Sequence, residues 1–340
     1  MKRKQTHTPF VTSMMLKIAK KMGATIIVEP EFRYIGQVIF KNGRRTFFRN
    51  TVLSINTGSA MEVSRDKNYS SFFLRRFGYR TPKEQTFFSD SWCRNLKSTR
   101  NLAAACRFAK ALGYPVILKP NNLSQGRLVT KVRSAQELKT AARKILAGNQ
   151  IFLVQEFIQG RDYRIVVLDN EIISAYERFP LCVVGTGKDS VSALLKKKQR
   201  LFEKTGRDTR IDFKDFRIAW KLRSQGLRFT SIIPRGKEIL LLDNANLSTG
   251  GESKDVTPLV HKDYKKLVVA ITKDMGLRLC GVDLLTSDIT KPLDPSHVVL
   301  EINAAPGLDH YASAGRTQKK IVEELYEKVL RAIERGDHRS

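Results

Sequence analysis

The chain has 340 residues, room for about two domains at roughly 150 residues each. Apolar residues make up 41% and charged residues 28%, which excludes an intrinsically disordered chain. Sixty-one Lys and Arg against 33 Asp and Glu leave a net charge of +28, so anionic partners are favoured: nucleotides, nucleic acid, an acidic peptide or an anionic membrane surface.

No stretch approaches 18 consecutive apolar residues, so no membrane-spanning helix is expected. The basic start, residues 1–4, is followed by a segment broken by Thr12, Ser13 and Lys17, with no cleavage site after a clean apolar block. It reads as the start of a mature cytoplasmic protein. Cys93, Cys106, Cys182 and Cys280 are scattered with no C-x-x-C pair. Free thiols in a reducing compartment fit that pattern, and a metal or redox motif does not.

Residues 12–22 read as a helix stopped by Gly23, followed by a β-branched run at 25–28. Runs at 35–40 and 44–48 flank Lys41-Asn42-Gly43, a hairpin signal. From Asp66 a helix carries Tyr69, Phe72, Phe73 and Phe77 at helical spacing, closed by Gly78. A second, with Ala105, Phe108, Ala109 and Leu112, ends at Gly113. Tyr114 to Lys119 is a short buried strand with a lysine at its end. After the strand at 128–132, Ser134 and Glu137 form a capping box that opens a helix with Leu138, Ala142 and Ile145 on one face.

The second half is richer in strands, at 151–154, 165–168, 171–176, 238–242, 279–285 and 298–302, with helices at 261–275 and 317–333. Residues 185–228 are dense in Lys and Arg, and one helix is expected there, at 191–202, among loops. Strands and helices mix without strict βαβ alternation, which argues α+β lobes.

Three constellations carry chemistry. Asp283 lies in Gly281-Val-Asp-Leu-Leu, and Glu301-Ile-Asn303 follows on another apolar strand. Glu301 and Asn303 share a face because strand side chains alternate. Two carboxylates and an amide oxygen suit Mg²⁺. Strand-edge carboxylates paired to arginines such as Arg278 would leave the same trace. Lys67 and Lys119 are point charges suited to phosphate, although isolated lysines commonly snorkel to solvent. Two small-residue loops, residues 121–127 and 246–251, could bring backbone N–H groups to an anion. Neither fits the Walker pattern.

In order, these pieces resemble the ATP-grasp ligases, in particular the ATP-grasp portion of cyanophycin synthetase, and more distantly glutathione synthetase and D-alanine–D-alanine ligase. The resemblance runs from about Asp66 to Ala312. It is carried by Gly113-Tyr-Pro-Val-Ile-Leu-Lys119-Pro, Phe157-Ile-Gln-Gly-Arg-Asp-Tyr-Arg-Ile165, Ala245-Asn-Leu-Ser-Thr-Gly-Gly251, Gly281-Val-Asp283 and Glu301-Ile-Asn-Ala-Ala-Pro-Gly-Leu308.

The resemblance implies an ATP-grasp fold of two α+β lobes gripping ATP. A small α/β segment at 1–65 precedes an N-lobe at 66–156 with a phosphate flap. A C-lobe follows at 157–335, with the metal site and the basic insert at 185–228, and then a tail at 336–340. It implies phosphate contacts from Lys67 and Lys119, and a flap including Ser124, Gln125 and Gly126. It further implies an adenine hinge at Gln155, Glu156, Phe157 and Ile158, and a ribose contact at Asp162. Asn246, Gly250 and Gly251 would meet substrate and phosphate. Magnesium, or manganese in its place, would sit on Asp283, Glu301 and Asn303. Lys119, Arg164 and Arg178 are the expected catalytic residues, the two arginines as anion clamps, although exposed strand arginines would look the same.

Two positions depart from the pattern. Leu128 stands where relatives often carry glycine, and Gln155 where an acid is common. The text ends at Ser340 without the Mur-ligase-like module of cyanophycin synthetase, so one kind of amide bond, rather than a polymer, is expected. The implied activity is ATP-dependent ligation of a carboxylate to an amine, on amino acids or a peptide, by a protein that could pair as a homodimer. Two alternatives stay open: a phosphotransferase on the same fold, and a nucleic-acid-binding protein. Lys196-Lys-Lys198, Arg200, Arg207, Arg210, Arg217 and Arg223 would track phosphates or recruit an acidic peptide or polymer. No clustered aromatics for base stacking are evident in the sequence.

Overall fold

The computed structural model describes residues 8–205, 207 and 209–336. The basic start at 1–4 and the tail from 337 lie outside the described residues. The first unit is helix α1 (Phe10–Met22) followed by an antiparallel meander: β1 (Thr25–Val28), β2 (Ile35–Ile39), β3 (Arg45–Arg49) and β4 (Val52–Leu53). Gly23 ends α1 in the left-handed conformation at φ 68°, which costs glycine nothing. Helices α2 (Gly58–Arg65) and α3 (Lys67–Arg76) lead into the N-lobe.

The N-lobe comprises β5 (Glu84–Phe88), α4 (Asp90–Leu96), α5 (Leu102–Leu112), β6 (Val116–Pro120), β7 (Thr130–Val132), α6 (Ala135–Leu146) and β8 (Ile151–Glu156). Its sheet runs β5-β8-β6-β7. Ser134 caps α6 by accepting from the Glu137 N–H, and Glu137 reaches back to the Arg133 N–H. The Ala105/Ala109 face of α5 and the Leu138/Ala142/Ile145 face of α6 are buried on this sheet.

The C-lobe begins with β9 (Arg161–Leu168) and β10 (Glu171–Phe179). The insert supplies β11 (Cys182–Val184), α7 (Val191–Lys204), α8 (Phe216–Arg223) and β12 (Glu238–Leu240). Then come β13 (Glu252–Asp255), α9 (Lys262–Asp274), β14 (Leu279–Thr286), β15 (Val298–Asn303), α10 (Asp309–Ser313) and α11 (Arg316–Arg335). The main sheet runs β13-β10-β9-β14-β15, and every neighbouring pair is antiparallel.

Alternation along β9 divides this sheet. Tyr163, Ile165 and Val167 face α9 in one core. Asp162, Arg164, Val166 and Leu168 face the other way, changing from charged to apolar along one strand. Val166 and Leu168 join a second core with α1, the meander and α11. The two ends of the chain therefore share one core. Asn56 ties the first unit to the site strands. Its amide donates to the Leu279 and Ala304 carbonyls and accepts from the Arg278 and Leu279 N–H groups, so both ends of the amide are satisfied.

Two expectations change. The insert is not one helix among loops. It holds two helices around thirteen buried apolar residues, because Val191, Leu194, Leu195 and Phe202 keep a helical stripe beneath the charge. The aromatics of α3 are not its packing face. Ser70, Ser71 and Leu74 are buried, while Tyr69, Phe72, Phe73 and Phe77 are 60, 55, 37 and 44% exposed. Clustered aromatics therefore exist on the surface, invisible to a reading that assigned them to a core.

Candidate active site

Strand register assembles the charged face. Tyr176 stands opposite Arg164, Arg164 opposite Asp283, and Asp283 opposite Glu301. One row along, Arg178 pairs with Asp162, and Asn303 lies opposite Gly281. Asp283 is the hub. Arg164 donates through Nε to Oδ1 and through Nη2 to Oδ2, both at 2.6 Å, and Arg178 Nη2 reaches Oδ2 at 3.0 Å. Arg178 also donates to Asp162 Oδ1, at 2.9 and 2.6 Å. Burial pushes the Asp283 carboxyl up, but Arg164 and Arg178 outweigh it and hold it below the usual carboxylate range. Burial pushes Asp162 up, and there it prevails over the Arg178 charge.

Arg278 pairs with Asp169 and with neither Asp283 nor Glu301. The arginines that do meet Asp283 are those proposed as anion clamps. They are held partners of an acid, 15% and 7% exposed at the side chain, rather than exposed strand arginines.

Two lysines face this row from the other lobe. Lys67, first residue of α3, donates to the Leu123 carbonyl at 2.8 Å and lies 3.9 Å from Glu301 Oε2. Lys119, on β6, is buried with its ammonium 3.9 Å from Glu84 Oε2. Burial pulls its pKa down, opposed by Glu84 and Glu301.

Glu84 sits opposite Gln155, whose amide donates to its Oε2 at 2.5 Å. Its Oε1 is buried without a hydrogen-bond partner. A carboxylate therefore stands one strand away from the glutamine at 155. Glu156 accepts from the Lys83 N–H and closes β8. Phe157 lies under Lys131, 3.4 Å from the ring centroid. With Ile158 it starts the link to the C-lobe.

The flap sits between β6 and β7. Ser124 and Gln125 are exposed. Gln125, Gly126 and Leu128 have φ of 60, 65 and 58°, so Leu128 is in a region that favours glycine. That accounts physically for glycine at this position in similar sequences. A Cβ on Gly126 would lie 2.5 Å from Asn244 Nδ2 and 2.9 Å from Asn246 Cβ, so the flap touches the second small-residue loop. In that loop Asn246 Oδ1 accepts from the Ser248 N–H, and the Gly251 N–H donates to the Asn246 carbonyl. Gly250 has φ 100°, and a Cβ on Gly251 would meet the Phe179 carbonyl at 2.6 Å. Both glycines are required by geometry.

Glu301 and Asn303 share the face with Asp283. Among the described residues no hydrogen bond reaches the Glu301 carboxylate, and the Asn303 side-chain nitrogen is buried without a partner. Asp283 Oδ1 accepts one N–H and keeps a second lone pair, whereas Oδ2 accepts two. This oxygen set fits a hard divalent ion, with Asp283 contributing one edge and chiefly anchoring arginines. No group of three or more His, Cys, Asp or Glu with metal-holding geometry occurs among the described residues, so the amide of Asn303 is needed to complete a set.

Sequence reasoning missed Glu84, Asn56 and the loop contacts of the insert arginines. Only the acid at the head of an otherwise apolar strand, Glu84-Gln-Thr-Phe-Phe, gave a signal.

Two α+β lobes with a flap and a charged sheet face between them define the class. Residues 73–182 match the D-ala D-ala ligase C-terminus family and residues 243–326 the RimK-like ATP-grasp domain family. The chain belongs to the ATP-grasp superfamily. It is 33% identical over 202 residues to a cyanophycin synthetase of a Nostoc species, covering 57% of this chain and 22% of that one. It is 29% identical over 255 residues to the glutathione biosynthesis bifunctional protein GshAB of Pasteurella multocida, covering 72% and 32%. A crystal structure of a bifunctional glutathione synthetase from Pasteurella multocida superposes with a TM-score of 0.59 at 24% identity, covering 95% of this chain and 44% of that one. The chain thus spans less than half the length of these relatives.

Proposed function

We propose that this protein is an ATP-dependent, ADP-forming carboxylate–amine ligase acting on an amino acid or peptide through an acyl phosphate. The observation that carries the reading is the cross-strand row of Arg164, Asp283 and Glu301, facing Lys67, Lys119 and the flap. The relatives named above support it, since their names place them in glutathione and cyanophycin synthesis.

A carboxylate is unreactive toward an amine because oxide is a poor leaving group. Attack of a carboxylate oxygen on the γ-phosphorus of ATP releases ADP and gives an acyl phosphate. The amine nitrogen then attacks the carbonyl, phosphate leaves, and the nitrogen loses its proton. Lys67 and Lys119 supply fixed positive charge to the phosphates. Arg164 and Arg178, oriented by Asp283 and Asp162, face the carboxylate and the charge that grows on it. Magnesium, when held by Glu301, Asn303 and the free edge of Asp283, supplies charge neutralisation at the phosphate oxygens. The flap excludes water, which would otherwise hydrolyse the intermediate. Gln155, Glu156, Phe157 and Ile158 would contact the base and Asp162 the ribose.

The test is ATP turnover by the full chain over defined amino-acid and peptide pools with Mg²⁺, read as ADP, phosphate and product mass. An amide product with ADP supports the ligase. A stable phosphorylated product replaces it with a phosphotransferase. No ATP binding and no turnover over any pool removes it.

A second reading concerns the partner rather than the chemistry. Lys196, Arg200 and Lys204 are exposed along one side of α7, and the α3 aromatics are exposed beside Arg75 and Arg76. These favour an acidic peptide, or a nucleic acid, as a bound polyanion. Titrating each at two salt concentrations separates them.

A further inference from the structure

The insert spends two of its arginines indoors. Arg217, on α8, is only 9% exposed. Its Nη1 donates to the Gly126 carbonyl at 2.7 Å and the Val129 carbonyl at 3.0 Å, on the two sides of the flap's turn. The other edge of the guanidinium is gripped by Asp215 through Nε and Nη2, at 3.0 and 2.6 Å. Arg207 donates through Nη2 to the Leu247 and Gly251 carbonyls, both at 2.6 Å, and lies over the Phe202 ring at 4.2 Å. Each arginine leaves the insert to bind main-chain carbonyls of one of the two small-residue loops. The insert also touches the N-lobe directly: Trp220 packs on its core and Lys144 of α6 lies over the Phe216 ring at 4.7 Å.

We propose that the insert is a two-armed brace for the site, with Arg217 as the positioning residue that holds the flap docked and Arg207 as its counterpart on the 246–251 loop. The choice of acceptors gives the brace its purpose. Arg217 takes carbonyls, and among the described residues no hydrogen bond takes the N–H groups of Ser124, Gln125 or Gly126. A guanidinium is permanently charged and forked, so it can hold two carbonyls at once while paired to Asp215. The flap is therefore fixed from behind, with its donors left for an anion in front. The docked flap meets Asn244 and Asn246, so the two arms act on surfaces that touch. The cationic content of the insert, unexplained by an exposed patch alone, is in part this clamp. The purpose, though not the contact, rests on the ligase reading.

The experiment is amide hydrogen exchange of the full chain, comparing wild type with R217A and R217K, with and without Mg²⁺ and the non-hydrolysable nucleotide AMP-PNP. In R217A, exchange over residues 122–129 is expected to rise about tenfold, the size of losing charge-assisted hydrogen bonds, while β6, β8 and α7 keep their protection. AMP-PNP affinity is expected to fall by a comparable factor. R217K, a single ammonium without the fork, is expected between the two, and R207Q is expected to raise exchange at 246–251 instead. Unchanged flap exchange in both Arg217 variants overturns the brace. Should R217A lose protection throughout the insert, R217K decides: a flap-confined rise supports the proposal and none refutes it. If wild type ignores AMP-PNP while the flap still loosens in R217A, the brace stands and the ligase reading falls.

Discussion

In the C-lobe sheet, Arg164, Asp283 and Glu301 keep their places because three hydrogen-bonded strands fix their register. In the flap, Ser124, Gln125 and Gly126 keep theirs because side chains from elsewhere hold a turn with left-handed backbone: Lys67 on Leu123, Arg217 on Gly126 and Val129. The sheet presents charges that stay at fixed spacing. The flap presents backbone donors on a segment that can be released by breaking a few contacts. The difference assigns the parts of one pocket: reacting charges need precision and sit on strands, whereas a cover must admit and release ligand and sits on a loop.

That contrast can be broken at the sheet. Asp283→Ala would leave Arg164 and Arg178 buried without their shared counter-ion, so a loss of about 3–5 kcal/mol in unfolding free energy is expected from denaturant titration. A loss below about 1 kcal/mol, the range of exposed pairs, would mean that the row is not an electrostatic unit.

Glu301→Gln separates chemistry from stability. The residue is half-exposed and accepts no hydrogen bond within the described chain, so its melting temperature should move little. Its ATP-dependent phosphate release should drop about 10²-fold or more, the scale of losing one electrostatic stabiliser. Equal turnover would take Glu301 out of the metal-binding set.

Acid titration sharpens the same point. The folded pKa of Asp283 lies below its unfolded value of about 3.9, because Arg164 and Arg178 outweigh burial. Its stabilisation is complete above that value and is lost as pH falls through the folded pKa. The stability gap between wild type and Asp283→Asn should therefore be flat from about pH 5 to 7 and close only below about pH 3.9. Asp162 runs the other way: burial raises its pKa, so its penalty is present above the folded pKa and disappears as pH falls through it.

The smallest effect belongs to the flap. Leu128→Gly should change stability by less than about 1 kcal/mol, since relief of the left-handed backbone offsets lost packing. Leu128→Val, β-branched in the same conformation, should cost more in the same melting experiment. If glycine were much the worse, packing rather than backbone would be setting the flap.

Several elements were legible in the sequence because their signals are local. Gly23 stops α1, Ser134 caps α6, and Lys41-Asn42-Gly43 turns the β2–β3 hairpin. The motifs ending in Gly251, Asp283 and Asn303 were legible for the same reason. The α3 aromatics misled because periodicity reports a stripe and not what covers it. The insert misled because dense charge hid a regular apolar stripe.

The sequence by itself determined which residues could share a strand face and where small residues must sit, since both follow from alternation and backbone sterics over a few positions. Only the tertiary structure decided who meets whom. Asp283 takes Arg164 and Arg178 rather than Arg278, Gln155 meets Glu84, and Arg217 reaches a flap 91 residues away. Those pairings depend on strand order and lobe packing, which bring together groups whose charges carry no information about their distance along the chain.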